Sequence, residues 1–240
     1  MTPDFSLIIP VWNEQHKIEN DVRSVMAFFK RIGLQGEIIV SDDGSTDGTH
    51  AVLTRLQKEF AGQLNILLRR RHSGKGHAVR GGILQSRGSI VAFMDSGGNV
   101  PLSFLQKGSQ KILNGQCQIA AGSRFLPESR IVLPMPLRRQ MTSFLFRKIV
   151  HWYLKLPAEI SDPQCGFKIF EGSVARQLAQ RATIDGFLFD LEFYFLAGKQ
   201  GWQWREFPIH WKCDRDSRLS ISKNFLSILK DLKYLHDTFI

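Results

Sequence analysis

Between residues 5 and 94, four short apolar runs are separated by three stretches of helical periodicity. No other feature narrows the fold as much. Strands joined through helices pair in parallel, and a parallel sheet carries helices on both faces. The apolar runs are Phe5–Val11, 37–41, Leu64–Leu68 and 89–94. The stretch 14–31 sets Ile18, Val22, Val25, Met26 and Phe29 on one side of a helix, and 47–60 turns Val52, Leu53 and Leu56 inward. Lys75–Gln85 is the third helix. Ligands of such sheets bind beyond the carboxyl ends of the strands, so chemistry is expected in the segment that follows each strand.

The second half is less regular. We expect a strand at 118–122, a loop at 123–136 with three prolines, a helix at 137–156 and a loop at 158–166. Helices at Gly172–Arg181 and 188–199, a strand at 203–211 and a last helix at 222–240 complete the reading. No repeat or low-complexity linker separates the halves. The expectation is one α/β domain whose halves are residues 1–122 and 123–240.

A chain of 240 residues with 43% hydrophobic content can bury a sizeable core. Thirty-two basic against 22 acidic residues leave a net charge of +10, which favours an anionic partner without choosing one. Cys117, Cys165 and Cys213 are far apart and odd in number, which fits neither a disulfide framework nor a zinc site. The apolar run near the N-terminus is short and broken by Pro10, so neither a signal peptide nor a membrane span is expected there. No other stretch reaches the roughly 18 apolar residues of a spanning helix. A cytoplasmic protein, free or peripheral on a membrane face, is the expectation.

Four loops carry the candidate residues. The first is Pro10-Val-Trp-Asn13-Glu14, where Glu14 can open a helix near its positive end. The second, Ser41-Asp42-Asp43-Gly44-Ser45-Thr46-Asp47, ends a strand on adjacent carboxylates able to accept hydrogen bonds from a base or ribose; Asp47 suits a helix cap. The third, Arg69 to His77, is a basic glycine turn at a helix start, where backbone N–H groups and Lys75 suit a pyrophosphate. The fourth runs from Met94 through Asp95, Ser96, Gly97 and Asn99 to Pro101. Taken singly, each also reads as an ordinary solvated turn.

Together they resemble family 2 glycosyltransferases of the GT-A fold, nearest the dolichyl-phosphate β-glucosyltransferase and dolichol-phosphate mannosyltransferase branch. Pro10–Glu14 is similar to that family's PxYNE, Asp42–Thr49 to DDGSxDGT, and Gly74-Lys75-Gly76-x-Ala78 to GKGxA. Gly122-Ser123-Arg124 resembles its GSR segment and Asp162-Pro-Gln164-Cys165-Gly166-Phe167-Lys168 its DxQCGFK. Phe189-Asp190-Leu191-Glu192 resembles FDxE, and Glu206-x-Pro208-Ile-x-Trp211 resembles ExPxxW.

The resemblance implies a Rossmann-like, mostly parallel sheet whose residues 1–122 bind a UDP-sugar and whose residues 123–240 serve the acceptor. It implies inverting transfer, with glucose to a polyprenyl phosphate as the leading expectation. A cytosolic enzyme with a saccharide or small hydroxyl acceptor and a non-catalytic nucleotide-sugar-binding module are the rivals. Donor contacts are expected from Pro10, Asn13, Glu14, Asp42, Asp43, Lys75, Asp95 and Ser96. Acceptor contacts are expected from Arg124, Gln164 and Lys168. Asp95 and Arg124 are the central catalytic candidates, with Asp190, Glu192 or Asp162 as base for a hydroxyl acceptor.

The resemblance also implies a DxD after the fourth strand, whose carboxylates hold Mg²⁺ or Mn²⁺ on the sugar-nucleotide diphosphate. Here the triplet is Asp95-Ser96-Gly97, leaving Asp95 and Asn99 as the expected ligands of a weak site. Nucleic acid is not an expected partner, since no recognised motif supports it and the acids would repel phosphates.

The helix at 137–156 admits two readings. Met141, Leu145, Trp152 and Leu156 share one side; Arg147, His151 and Lys155 share another. That pattern suits an acidic membrane interface or a membrane-protein partner, and equally a helix packed on the core with a solvated face. The C-terminal helix, with Phe225, Ile228, Leu229, Leu232 and Leu235 beside Lys223, Lys230 and Lys233, allows the same two readings. Cys165 lacks a partner histidine and reads as a packed thiol.

Overall fold

The computed structural model describes residues 3–214 and 225–240. Its first half alternates β1 (Phe5–Val11), α1 (Ile18–Ile32), β2 (Gly36–Asp42), α2 (Thr49–Glu59), β3 (Leu64–Leu68), α3 (Lys75–Gln85) and β4 (Ile90–Met94). Strand β1 pairs in parallel with β2 and β4, and β2 with β3. The period-2 alternation of side chains divides the strands between two cores. Leu7, Ile9, Ile38 and Val40 meet α1 and α2, while Ile8, Ile39, Val91 and Phe93 meet α3 and the later helices. Helices therefore lie on both faces, as the alternation requires.

Then follow α4 (Ser103–Leu113), β5 (Ile119–Ser123), β6 (Arg130–Leu133), α5 (Leu137–Tyr153), β7 (Phe167–Glu171) and α6 (Gly172–Arg181). The described chain closes with α7 (Phe189–Lys199), β8 (Trp204–Pro208), β9 (His210–Lys212) and α8 (Phe225–Phe239). The main sheet has the order β3-β2-β1-β4-β7-β5-β8. Strand β7 is antiparallel to both neighbours, while β5 and β8 are parallel. One sheet thus draws strands from both halves of the chain.

Several boundaries differ from the sequence reading. Helix α1 starts at Ile18, not 14, because the backbone N–H groups of Asn13, Glu14 and Gln15 bond to the Ser45, Thr49 and Asp47 side chains. Helix α2 is capped at Gly48, and Asp47 Oδ1 accepts the Thr49 N–H at 3.0 Å. The strand expected at 203–211 breaks at Ile209: β8 joins the main sheet, and β9 pairs with β6 in a second, two-stranded sheet. Strand β6 lies inside the expected loop 123–136, and α4 and β7 fall on stretches the sequence left unassigned. The first residues of the last expected helix, including Lys223, lie outside the described residues.

Phe93 sits fully buried in β4, with its ring 6.1 Å from Phe170 of β7 and 5.6 Å from Phe189 of α7. It ties the antiparallel strand to the parallel ones. Phe93→Ala should lower stability by about 3–5 kcal/mol through the cavity it leaves. Urea denaturation should show a lower midpoint at unchanged slope.

Candidate active site

The strand ends converge on one cleft of about 730 Å³. Pro10, Val11 and Trp12 enter it from β1, Asp43 from β2, Asp95 and Ser96 from β4, and Arg124 from β5. Lys75 comes from the start of α3 and Asp190 from α7. The far wall is α5, through Arg138, Arg139, Thr142, Ser143 and Phe146.

At one end, Asp43 Oδ1 accepts the Ser73 N–H (3.0 Å) and Oδ2 accepts the Gly74 N–H (2.7 Å). His72 Nδ1 lies 2.7 Å from Oδ2, and its ring stacks on Trp12 with centroids 4.2 Å apart. The carboxylate thereby holds the basic turn against the aromatic pair. Trp12 and His72 lie in the first and third loops and carry no expected part, and their stack joins segments sixty residues apart that the sheet brings together.

In the middle, Lys75 Nζ lies 2.6 Å from Asp95 Oδ1. Burial opposes the charge on Lys75, but Asp95 and Asp190 outweigh it and hold its pKa above the ordinary lysine value. The Asp95 N–H donates to Gly166 O at 3.0 Å, and a Cβ at Gly166 would collide with the Asp95 carboxylate. Only glycine at 166 leaves room for Asp95, which gives the DPQCGFK segment a steric reason. A hollow of about 10 Å³, the size of one water or ion, lies between Asp95, Asn99, Gly166 and Trp211. Asn99 Oδ1 is buried there without a hydrogen-bond partner.

Asp190 is buried with Lys168 Nζ 2.7 Å away. Burial raises its pKa despite Lys168 and Lys75. Arg124 binds Asp162 through Nε (2.7 Å), Nη2 (2.8 Å) and its backbone N–H (3.0 Å), and lies over the Trp211 ring at 5.2 Å. Burial opposes its charge, and Asp162 more than restores it.

Of the expected residues, Pro10, Glu14, Asp43, Lys75, Asp95, Ser96, Asn99, Arg124, Gln164 and Asp190 all line the cleft. Five others do not line it and have structural partners. Asn13 Oδ1 accepts the Thr46 and Asp47 N–H groups, and Asp42 Oδ1 accepts that of Ser45. Asp162 holds Arg124 from behind. Lys168 is wholly buried in β7, donating to Cys165 O at 2.6 Å. Glu192, also wholly buried, accepts the Thr183 and Ile184 N–H groups, the Thr183 hydroxyl and the Tyr234 hydroxyl. Cys165 is buried, and burial pushes its thiol up to about 12, which leaves it unionised. Among the described residues no group of three or more His, Cys, Asp or Glu is gathered as a metal cage. Asp214, which the sequence did not single out, also lines the cleft.

The sequence model of Glycosyl transferase family 2 matches residues 6–177. The chain belongs to this family. Family membership and the cleft together make it a glycosyltransferase. It is 28% identical to the dolichyl-phosphate beta-glucosyltransferase of Saccharomyces cerevisiae, covering 95% of this chain and 72% of that one. It is 30% identical to the enzyme of the same description from Drosophila melanogaster, covering 95% and 73%. The structure of glucosyl-3-phosphoglycerate synthase from Mycobacterium tuberculosis with Mn²⁺ and UDP-glucose superposes with a TM-score of 0.69 at 19% identity, over 96% of this chain and 79% of that one. That likeness assigns the GT-A fold.

One buried acid sets a pH dependence. Asp21 on α1 accepts the Gly97 N–H at 2.8 Å and so fastens the turn after β4. Burial, with nearby Glu14, raises its carboxyl from the ordinary 3.8 to about 6 against the Gly97 N–H and lysines 17 and 212. The fold therefore favours the protonated acid. This contribution is complete below about pH 4 and is lost as pH rises through about 6. Asp21→Asn should raise the thermal midpoint at pH 8 and match the parent at pH 4.

Proposed function

We propose that the enzyme transfers glucose from UDP-glucose to a polyprenyl phosphate presented at a membrane surface. The observation that carries this reading is the two-sidedness of α5. One side lines the cleft through Arg138, Arg139, Thr142, Ser143 and Phe146. The opposite side bares Leu137 (77% exposed), Met141 (72%) and Trp152 (79%), with Phe144 and Leu145 beside them. Only Val150 of the helix is buried. Leu156 packs in the core instead of extending the stripe, and Arg147 and His151 bond to the 160–161 carbonyls. The C-terminal helix buries Ile228, Leu232 and Leu235 and leaves Phe225, Leu226 and Leu229 exposed. An apolar face this large on a basic chain suits acidic lipid headgroups over an acyl layer. No described helix is long and apolar enough to cross a membrane, so contact from the surface is the mode proposed. The relatives described as dolichyl-phosphate beta-glucosyltransferases support both the sugar and the acceptor class.

In this reading residues 1–122 hold the donor and residues 123–240 serve the acceptor. Pro10, Trp12, Glu14 and Asp43 frame the nucleoside. Lys75, Ser96 and Asp95 lie toward the diphosphate and sugar, and Arg124 and Gln164 toward the acceptor phosphate. An acceptor phosphate oxygen attacks the anomeric carbon as the bond from that carbon to the UDP oxygen breaks, inverting the configuration. UDP leaves with the bonding electrons. Lys75 and Arg124, both held charged, stabilise the charge it gathers. The acceptor is already anionic near neutral pH, so no general base is needed. A hydroxyl acceptor would need one, and Asp190 is the sole member of the three expected bases on the cleft.

A divalent cation fits Asp95 and Asn99: the Asn99 carbonyl oxygen is buried and unpaired, and the hollow beside both has room for one atom. Mg²⁺ and Mn²⁺ accept a sparse set of protein oxygens completed by water and phosphates. Bound there, the cation would supply Lewis-acid neutralisation of the diphosphate.

Two measurements check the reading. Radiolabel from UDP-glucose should appear on polyprenyl phosphate, and Arg124→Ala should cut the rate by about 100-fold or more; transfer to saccharides alone would overturn the lipid acceptor. Vesicles rich in acidic lipid should float the enzyme. The triple variant Met141→Ser, Leu145→Ser, Trp152→Ser should stay in the pellet fraction with its UDP affinity intact.

A further inference from the structure

The turn after β4 lacks the second acid that a two-carboxylate cation site would draw from it, because residue 97 is glycine. Its φ of +95° is one that side chains rarely adopt. The space beside it is nonetheless open. A Cβ built on Gly97 would meet nothing closer than Asn99 Oδ1 at 3.5 Å, Asp214 Oδ2 at 3.6 Å and Lys17 Cδ at 3.6 Å. The side chain of an acid at 97 would therefore reach into a region where a carboxylate already stands, delivered from the segment just after β9.

We propose that Asp214 supplies, from the other half of the chain, the carboxylate that Gly97 lacks, completing a divalent-cation site with Asp95 and Asn99. This rests on the donor and cation reading given above and adds a ligand to it. Three observations carry it. Asp214 and Asp95 line the same cleft, and Asp214 Oδ2 and Asn99 Oδ1 stand 3.6 and 3.5 Å from the position a Gly97 Cβ would take. Asn99 ties the two sides together: its backbone carbonyl accepts the Lys212 N–H at 3.0 Å, two residues before Asp214, while its side-chain oxygen is buried without a partner. The Asp214 carboxylate also attracts a cation in this structure, for Lys17 Nζ lies 2.7 Å from Oδ2 and 3.3 Å from Glu14 Oε2. Two carboxylates and one neutral carbonyl form a hard, all-oxygen donor set, the chemistry that Mg²⁺ and Mn²⁺ take alongside substrate phosphates.

The geometry sets Lys17 in competition with the cation. The Lys17 ammonium stands on the Asp214 carboxylate, 2.7 Å from the same Oδ2 oxygen, where a ligated cation would repel it. If Asp214 is a ligand, removing that ammonium strengthens cation binding only while the carboxylate is present. If Asp214 serves only as a partner for Lys17, removing Lys17 changes the local charge by the same amount whether or not Asp214 can bind metal.

The test is Mn²⁺ uptake by the full-length enzyme in the presence of UDP, read from the loss of the free-ion electron paramagnetic resonance signal. UDP affinity in EDTA is measured alongside by calorimetry. The parent should take up Mn²⁺. Asp214→Asn should weaken that uptake by about tenfold or more and leave UDP affinity in EDTA unchanged. Lys17→Met should tighten Mn²⁺ binding in the parent and leave it unchanged in Asp214→Asn. Unchanged Mn²⁺ affinity in Asp214→Asn, or equal tightening by Lys17→Met in both backgrounds, overturns the role of Asp214 and leaves the donor reading standing. A parent that binds UDP and takes up no Mn²⁺ overturns the cation site and this proposal with it. A parent that binds no UDP overturns the donor reading itself.

Discussion

A lysine ammonium lies buried in the middle of the sheet, and the arrangement around the cleft follows from the need to neutralise it. Lys168 is the second residue of β7 and has no exposure, and Asp190 of α7 is its counter-ion at 2.7 Å. Removing one partner of such a pair leaves an uncompensated charge, typically at about 3–5 kcal/mol. Asp190 in turn helps hold Lys75 charged, and Lys75 pairs with Asp95. Charges thus alternate from the interior of the sheet to its edge through β7, α7, α3 and β4. The Lys168 and Lys75 ammonium groups also lie 5.5 Å from the Phe93 ring and 6.0 Å from the Phe189 ring, so the aromatic core beneath the cleft shares in the same neutralisation.

The first half of this fold was legible because its signals are local. Leu7, Ile8 and Ile9 go to alternating cores within a single strand, and the amphipathic faces of α1 and α2 repeat at helical spacing. Strand β7 was not legible for the opposite reason. Its sequence, Phe-Lys-Ile-Phe-Glu, has a lysine where a buried strand should be apolar, and the aspartate that permits it comes from a helix more than a full element later. Strand β6 is exposed along most of its length and exists as a strand through its pairing with β9. The apolar row of α5 was visible as a pattern, but only the packing reveals that it faces outward while Leu156 turns into the core.

The candidate site divides in a similar way. Its loops could be found from sequence because a parallel sheet delivers them to one edge. What each acid does there could not, because a carboxylate's part is set by its partners. Asp42 and Asp43 are adjacent, yet one closes its own turn on Ser45 and the other reaches across to the Ser73–Gly74 backbone. Asp190 and Glu192 lie one residue apart on either side of Leu191, and only Asp190 meets the cleft. Asp214 stands in no recognised motif, and its nearness to Gly97 is a tertiary fact alone.

Glu206 of β8 accepts the Ser161 and Asp162 N–H groups at 3.0 and 2.8 Å and the Ser161 hydroxyl besides. Asp162 then grips Arg124 by three contacts. The guanidinium at the mouth is consequently suspended on a tether whose far end is an edge strand. That arginine therefore owes its place to an acidic arm on a strand it never touches, and a change at residue 206 would be felt in the cleft only through the 161–162 backbone.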